Sequence, residues 1–236
     1  MIVKNIKKNI YNKKYLKDRE VVWDNKLKDC KDKGIPLWNG SVYYLDKFAK
    51  DSISIGLCEY KDLVFLEVKK VKDLKEEYNL NFDFIYINVQ VLIVDKQCKY
   101  LFGTKHHKDY IEIISVGGTL RFEDGNQIEK FEDIVDYAKK EISIETKIKI
   151  DLDSLKYKDM IIDSSICTFL FEYNIDVIED NLLNIGEFDG FVIIEKSEIF
   201  SENKFMAGAR LKSLQDFLVN RYVPKNNKKR NNGKRY

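Results

Sequence analysis

Apolar and polar positions alternate along this chain with two different periods, and the change from one to the other marks its elements. From Lys14 to about residue 32, Leu16, Val21, Val22, Trp23 and Leu27 recur among charges at near-helical spacing until Gly34 and Pro36 stop the pattern, which predicts a helix. "SVYYLDKF" (41–48) and "SISIGL" (52–57) read as two strands around a polar turn, and residues 60–79 return to a helical or irregular rhythm. A first segment of helix, hairpin and short helix thus ends near Asn81. "FIYINVQVLIVD" (84–95) alternates and then runs apolar, as a strand covered on both faces does. "KYLFGTK" (99–105) follows a short turn at Lys96 to Cys98, and "YIEIISV" (110–116) leads into Gly117 and Gly118, which read as a turn. A central helix over 128–146 precedes the strand pair 156–163 and 165–175, an acidic loop, and the strand 191–196. Ala209, Leu211, Leu214, Phe217 and Leu218 share one face of a last helix over 207–222. This order predicts an α+β fold, an α/β/α sandwich about a mixed sheet. Residues 1–81 form an N-terminal helix-hairpin extension packed on a main domain of residues 82–222, and 223–236 a disordered basic tail.

Charge refines this picture little in total and more in distribution. The formal charge of the 236 residues is +2, which predicts no strong pull toward nucleic acid or an anionic membrane. Residues 225–236 carry six positive and no negative charges, whereas the body between the two basic ends is acidic. Nucleic acid is therefore an expected partner of the tail at most. Cys30, Cys58, Cys98 and Cys167 form no CxxC pair and read as small apolar residues in a reducing compartment. No run approaches the roughly 18 apolar residues of a membrane span, so the expectation is a cytoplasmic protein.

The chemistry concentrates in the central helix. At roughly 100° per residue, with Ala138 as origin, Phe131, Ile134, Val135 and Ile142 make the buried stripe. Glu145 falls about 20° from its centre and Glu141 about 60°. Two carboxylates leaning into a core need partners, because a buried unpaired charge is costly. A divalent cation is one partner, and Mg²⁺ takes one or two carboxylates together with water and phosphate oxygens. Gly117 and Gly118 precede that helix, and glycine lets backbone N–H groups approach an anion closely.

Strand, glycine pair, acidic loop and E-x-x-x-E helix, in that order, resemble the Nudix box. In that pattern a glycine and a loop glutamate precede the run R-E-U-x-E-E-x-G-U, where U is apolar. Gly118 stands at the glycine, and "KEISIETKI" (140–148) stands at the run. Glu141 matches its first glutamate, Glu145 its last, and Ile142 and Ile148 its apolar positions. Lys140 replaces arginine, Ile144 a glutamate and Lys147 a glycine. Asp124 sits where the loop glutamate belongs, with the helix run starting eight residues late. Gly56, Leu57, Tyr60, Lys61 and Asp62 resemble the G-L-x-x-Y-R-D of the UDP-glucose diphosphatase branch, which has an enlarged loop at the same place.

That resemblance implies a Nudix-like sheet and hydrolysis of a nucleoside diphosphate linked to another moiety, a UDP-sugar first. It assigns Mg²⁺ or Mn²⁺ to Glu141 and Glu145, with Glu123 or Asp124 supplying the ligand that Ile144 lacks and Lys140 keeping a positive charge nearby. Glu179, Glu187 or Asp189 is a candidate base. Tyr43, Tyr44 and Trp38 are candidates for stacking on the substrate's base, and His106 and His107 read as a surface turn. Two other readings stay open: a non-catalytic nucleotide-sensing module, and RNA binding by the tail.

Overall fold

The computed structural model describes residues 1–6, 11–49, 51–69, 76–80, 85–106, 111–123, 127–146, 148, 154–163, 166–178 and 188–195. The expected last helix and tail, Asp124, His107, Glu179 and Glu187 lie outside these residues. In chain order the elements are β1 (Ile2–Asn5), α1 (Lys13–Asp32), β2 (Ser41–Ala49), β3 (Ser52–Glu59), α2 (Tyr60–Val68), β4 (Ile85–Asp95) and β5 (Lys99–His106). Then come β6 (Ile111–Ile114), β7 (Val116–Thr119), α3 (Phe131–Thr146), β8 (Leu155–Asp163), β9 (Ile166–Ile175) and β10 (Gly190–Glu195). The fold is α+β: the ten strands among the described residues join one mixed sheet.

Strand β4 is the spine of that sheet. One edge pairs in parallel with β9 from Tyr86 to Asp95. The other edge is shared by three antiparallel partners: β2 at Tyr44 and Leu45, β7 along Val116–Thr119, and β5 at Leu101 and Tyr100. Because strand side chains alternate, Ile87, Val89, Val91 and Ile93 meet Ile134, Ala138 and Ile142 of α3 in one core. Leu92 and Val94 join Tyr100, Phe102 and Leu170 in a separate cluster. The near-continuous apolar run of β4 follows from this two-sided burial.

Local sequence sets the element ends. Asn12 caps α1 by accepting from the Tyr15 N–H at 2.8 Å. Asp133 accepts from the N–H groups of Glu129 and Lys130 at 2.7 and 2.9 Å, which starts α3 at Phe131, three residues later than its periodicity predicts. Between β4 and β5, Asp95 accepts from the N–H groups of Gln97 and Lys99, and Cys98 takes the left-handed conformation (φ 61°) that a three-residue hairpin loop requires.

Two sequence expectations change. The apolar run 110–116 is not one strand: it breaks at Ser115, where the chain leaves β5, the partner of β6, for β4, the partner of β7. Gly117 and Gly118 are accordingly not a turn; they lie within β7, opposite Gln90 and Val89. Strand β1, parallel to β3, was not visible in a four-residue stretch with little alternation.

The N-terminal hairpin is part of the sheet, through β2. Tyr43 and Leu45 of β2 face the α3 core, while Val42 and Tyr44 face a second core with Tyr15 of α1 and Leu63 and Phe65 of α2. At the centre of that second layer Asp62, fully buried, pairs with Arg19, 4% exposed, at 2.7 Å. The Asp62 carboxylate also accepts from the Tyr15 hydroxyl at 2.8 Å and from the Glu59 N–H at 2.8 Å, closing the cap of α2. Burial, then the Asp62 charge, pushes the Tyr15 phenol far above its ordinary range, so it remains a donor. Replacing Asp62 by Asn removes the fully buried partner of Arg19, leaving it the more exposed Glu20 and Glu59 at 2.9 and 3.0 Å, and should cost about 3 kcal/mol in urea unfolding. The double variant Arg19→Met, Asp62→Leu should recover most of that loss, and a loss equal to the sum of the two single variants would contradict the pairing.

Candidate active site

Helix α3 delivers both carboxylates of its last two turns to one place. Glu141 is 7% exposed and Glu145 5%. The negative end of the helix dipole disfavours them there, and no basic residue sits in the last turn to offset it. Their compensation comes from across the core. The Gly117 N–H donates to Glu145 Oε2 at 2.6 Å, a short bond strengthened by the carboxylate charge.

Glycine is required for this approach. Gly117 has φ +119°, and a Cβ there would lie 2.2 Å from the Val89 carbonyl oxygen. A Cβ on Gly118 would meet Glu141 Oε2 at 3.8 Å, so the second glycine borders the second carboxylate. Tyr137, one turn before Glu141, donates its hydroxyl to the Thr119 carbonyl at 2.9 Å. Burial first, and then the Glu141 carboxylate, raises the phenol's pKa; the Arg121 guanidinium pulls it back.

Both glutamates and both glycines line one cavity of about 440 Å³. Lys105 at the end of β5 and Arg121 beyond β7 add two cations to its wall. The N-terminal segment contributes Trp38, Val42 and Tyr60 to the lining. Arg121 Cζ lies 5.8 Å from the centre of the Trp38 ring, within cation–π range. The site therefore carries two negative groups, two positive groups and one exposed aromatic ring.

The other sequence candidates fall elsewhere. Lys140 and Glu123 form an ion pair with each other, and neither lines the cavity. Tyr43 and Tyr44 offer no stacking face: both are sealed in the two cores, and the Tyr43 hydroxyl accepts from the Ile128 N–H at 3.0 Å. Alternation along β2, which is covered on both faces, explains why neither aromatic reaches solvent. Asp189 is exposed, and its carboxylate accepts from the His106 N–H at 2.7 Å, outside the cavity lining. Ile144, at the position of the missing glutamate, is 46% exposed.

Arg121, Lys105 and Tyr137 were not singled out from sequence. Arg121 had a usable signal: with Gly117 and Thr119 it lies at every second position, and all three line the cavity. Lys105 had none, since a lysine ending a strand is commonplace.

The donor set suits a hard divalent cation. The described cavity wall offers two buried carboxylates and neither thiol nor imidazole, which matches Mg²⁺ or Mn²⁺ and not a softer metal. Among the described residues no group of three or more His, Cys, Asp or Glu side chains converges.

No protein-family model and no curated protein matches the chain. Solved structures with partial likeness include a hydrolase of the Nudix family from Clostridium perfringens, 14% identical, covering 58% of this chain and 97% of its own, at a TM-score of 0.37. A Nudix hydrolase from Nitrosomonas europaea is 12% identical over 60% of this chain and 94% of its own, at 0.38. A protein from Deinococcus radiodurans is 14% identical over 58% of this chain and 83% of its own, at 0.42. Likeness this loose identifies no activity, and the chemistry rests on the cavity itself.

Gly117→Ala should lower stability by at least about 1–3 kcal/mol, through a disfavoured φ and the clash with Val89. Thermal melting checks it; an unchanged midpoint would show that the strand tolerates a side chain there.

Proposed function

We propose that this protein is a divalent-cation-dependent diphosphohydrolase of the Nudix type. Its substrate is a nucleoside diphosphate linked to another moiety, with a UDP-sugar the first choice. The observation that carries the proposal is the pairing of two nearly buried carboxylates with a glycine strand and two cationic side chains around one cavity. The ordered match to the Nudix box supports it from the sequence side.

The chain's own groups divide the work. Glu141 and Glu145 would hold Mg²⁺ or Mn²⁺; when bound, such an ion lowers the pKa of a water and stabilises charge on phosphate oxygens. The Gly117 N–H fixes the orientation of Glu145. Arg121 and Lys105 would neutralise a diphosphate in the cavity, Arg121 through a planar fork suited to two phosphate oxygens. Tyr137 stays protonated near Glu141 and donates its one hydroxyl proton to the Thr119 carbonyl.

A reducing cytoplasm suits the cysteines. Cys30, Cys58 and Cys167 are buried free thiols, with burial pushing Cys167 up to about 12, whereas Cys98 is exposed and departs from the reading of all four as small apolar residues. Among the described residues no helix is long and apolar enough to cross a membrane.

A non-catalytic nucleotide sensor is the second reading, favoured by Ile144 and Lys147, which stand where the Nudix box has a glutamate and a glycine, and by the exposure of Ile144. Release of UMP from UDP-glucose with Mg²⁺ or Mn²⁺ separates the two. The hydrolase reading expects turnover that chelation abolishes and that Glu141→Gln or Glu145→Gln cuts at least about 100-fold. Nucleotide binding without turnover of any nucleoside diphosphate derivative would establish the sensor.

A further inference from the structure

Trp38 stands out among the aromatic residues of the N-terminal segment. It is 45% exposed at the cavity wall, whereas Tyr43 and Tyr44 are buried in the cores. Its position is set by its neighbours. A Cβ on Gly40 would fall 1.7 Å from the indole Cζ2, so the ring rests against a backbone that only glycine leaves clear. Tyr60 packs beside it, with ring centres 5.7 Å apart, and the Tyr60 N–H donates to the Gly40 carbonyl at 2.8 Å. Arg121, anchored by a backbone bridge to Val42, brings its guanidinium to the same ring. A fixed, half-exposed indole beside a planar cation on the wall of a polar cavity is the arrangement that stacks on a flat heteroaromatic ring.

From this we infer that Trp38 and Arg121 form the recognition platform for a substrate's nucleobase, so that the cavity selects base-bearing diphosphates over base-free ones. The inference rests on the proposed nucleotide site and adds its specificity determinant. Glu141, Glu145 and the glycines line the part of the cavity that would take the diphosphate, while Trp38, contributed by the loop between α1 and β2, belongs to the wall that would take the base. Arg121 serves both parts, facing the ring while lying two residues beyond Thr119 of β7.

The test measures binding without turnover. Titration of the full-length protein with UDP, ADP and inorganic pyrophosphate, each in the presence of Mg²⁺ and none carrying the linked moiety of the proposed substrate, should give nucleotide affinities well above that for pyrophosphate. Trp38→Ala should weaken UDP or ADP binding about 5- to 150-fold and leave pyrophosphate binding unchanged, and Trp38→Phe should restore most of the loss. Of the two tryptophans, Trp23 is buried, so quenching of the exposed Trp38 by nucleotide is a direct spectroscopic signature. Equal loss of UDP and pyrophosphate binding in Trp38→Ala, unchanged UDP and ADP binding, or no nucleotide binding by the unmodified protein would each overturn the platform. A catalytically silent protein with Trp38-dependent nucleotide binding would retain it while removing the hydrolase reading.

Discussion

One hydrogen bond, from the Gly117 backbone to Glu145, couples the sheet to the end of α3 and turns a packing contact into a site. Three constraints meet at that point. Gly117 must be without a side chain because the Val89 carbonyl occupies the space, and it must adopt a φ that other residues rarely take. Glu145 must be almost out of solvent, which is tolerable only because a donor is already in place. The helix must approach β4 closely enough for both, which Ala138 permits as the small residue at the centre of its buried stripe. Loss of any one of these separates the glycine strand from the two carboxylates.

The N-terminal segment completes the cavity by a different route. Strand β2 is covered on both faces, so one hairpin belongs to two cores at once. The buried Arg19–Asp62 pair fixes α1 against α2, and the cap at Glu59 fixes the start of α2 immediately before Tyr60. Tyr60 in turn supports Trp38. A buried ionic junction between α1 and α2 thus helps to position an aromatic ring that lines the cavity. That dependence gives the "YKD" segment, Tyr60 to Asp62, a structural role beyond its resemblance to a family motif.

What was legible in the sequence follows physical range. Helix α1 and strands β2, β4, β5 and β9 carry strong periodicity, because each is patterned by burial over its whole length, and they lie within a few residues of where the pattern puts them. The inward lean of Glu141 and Glu145 was visible from helical angle alone, since it depends only on their offset from Ala138. The break at Ser115 was not visible, because a change of strand partner alters hydrogen bonding without altering the apolar pattern. Nor could spacing distinguish Trp38 from Tyr43 and Tyr44: all three are aromatic residues near one hairpin, and only the two-sided covering of β2 decides which is exposed. The partnership of Lys140 with Glu123 was likewise hidden, because it closes across a loop and not along the helix.

Two acids at the end of α3 and two bases from the sheet line the cavity, and the proposed function would place one cation and one diphosphate between them. The central claim is that Glu141 and Glu145 together bind a divalent ion. Titration of the purified protein with Mn²⁺, followed by the electron paramagnetic resonance signal of the free ion, measures this without reference to any substrate. Saturable binding is expected, displaced by Mg²⁺ and lost in the folded Glu141→Gln, Glu145→Gln double variant. Equal Mn²⁺ binding by the unmodified protein and that variant would contradict the claim.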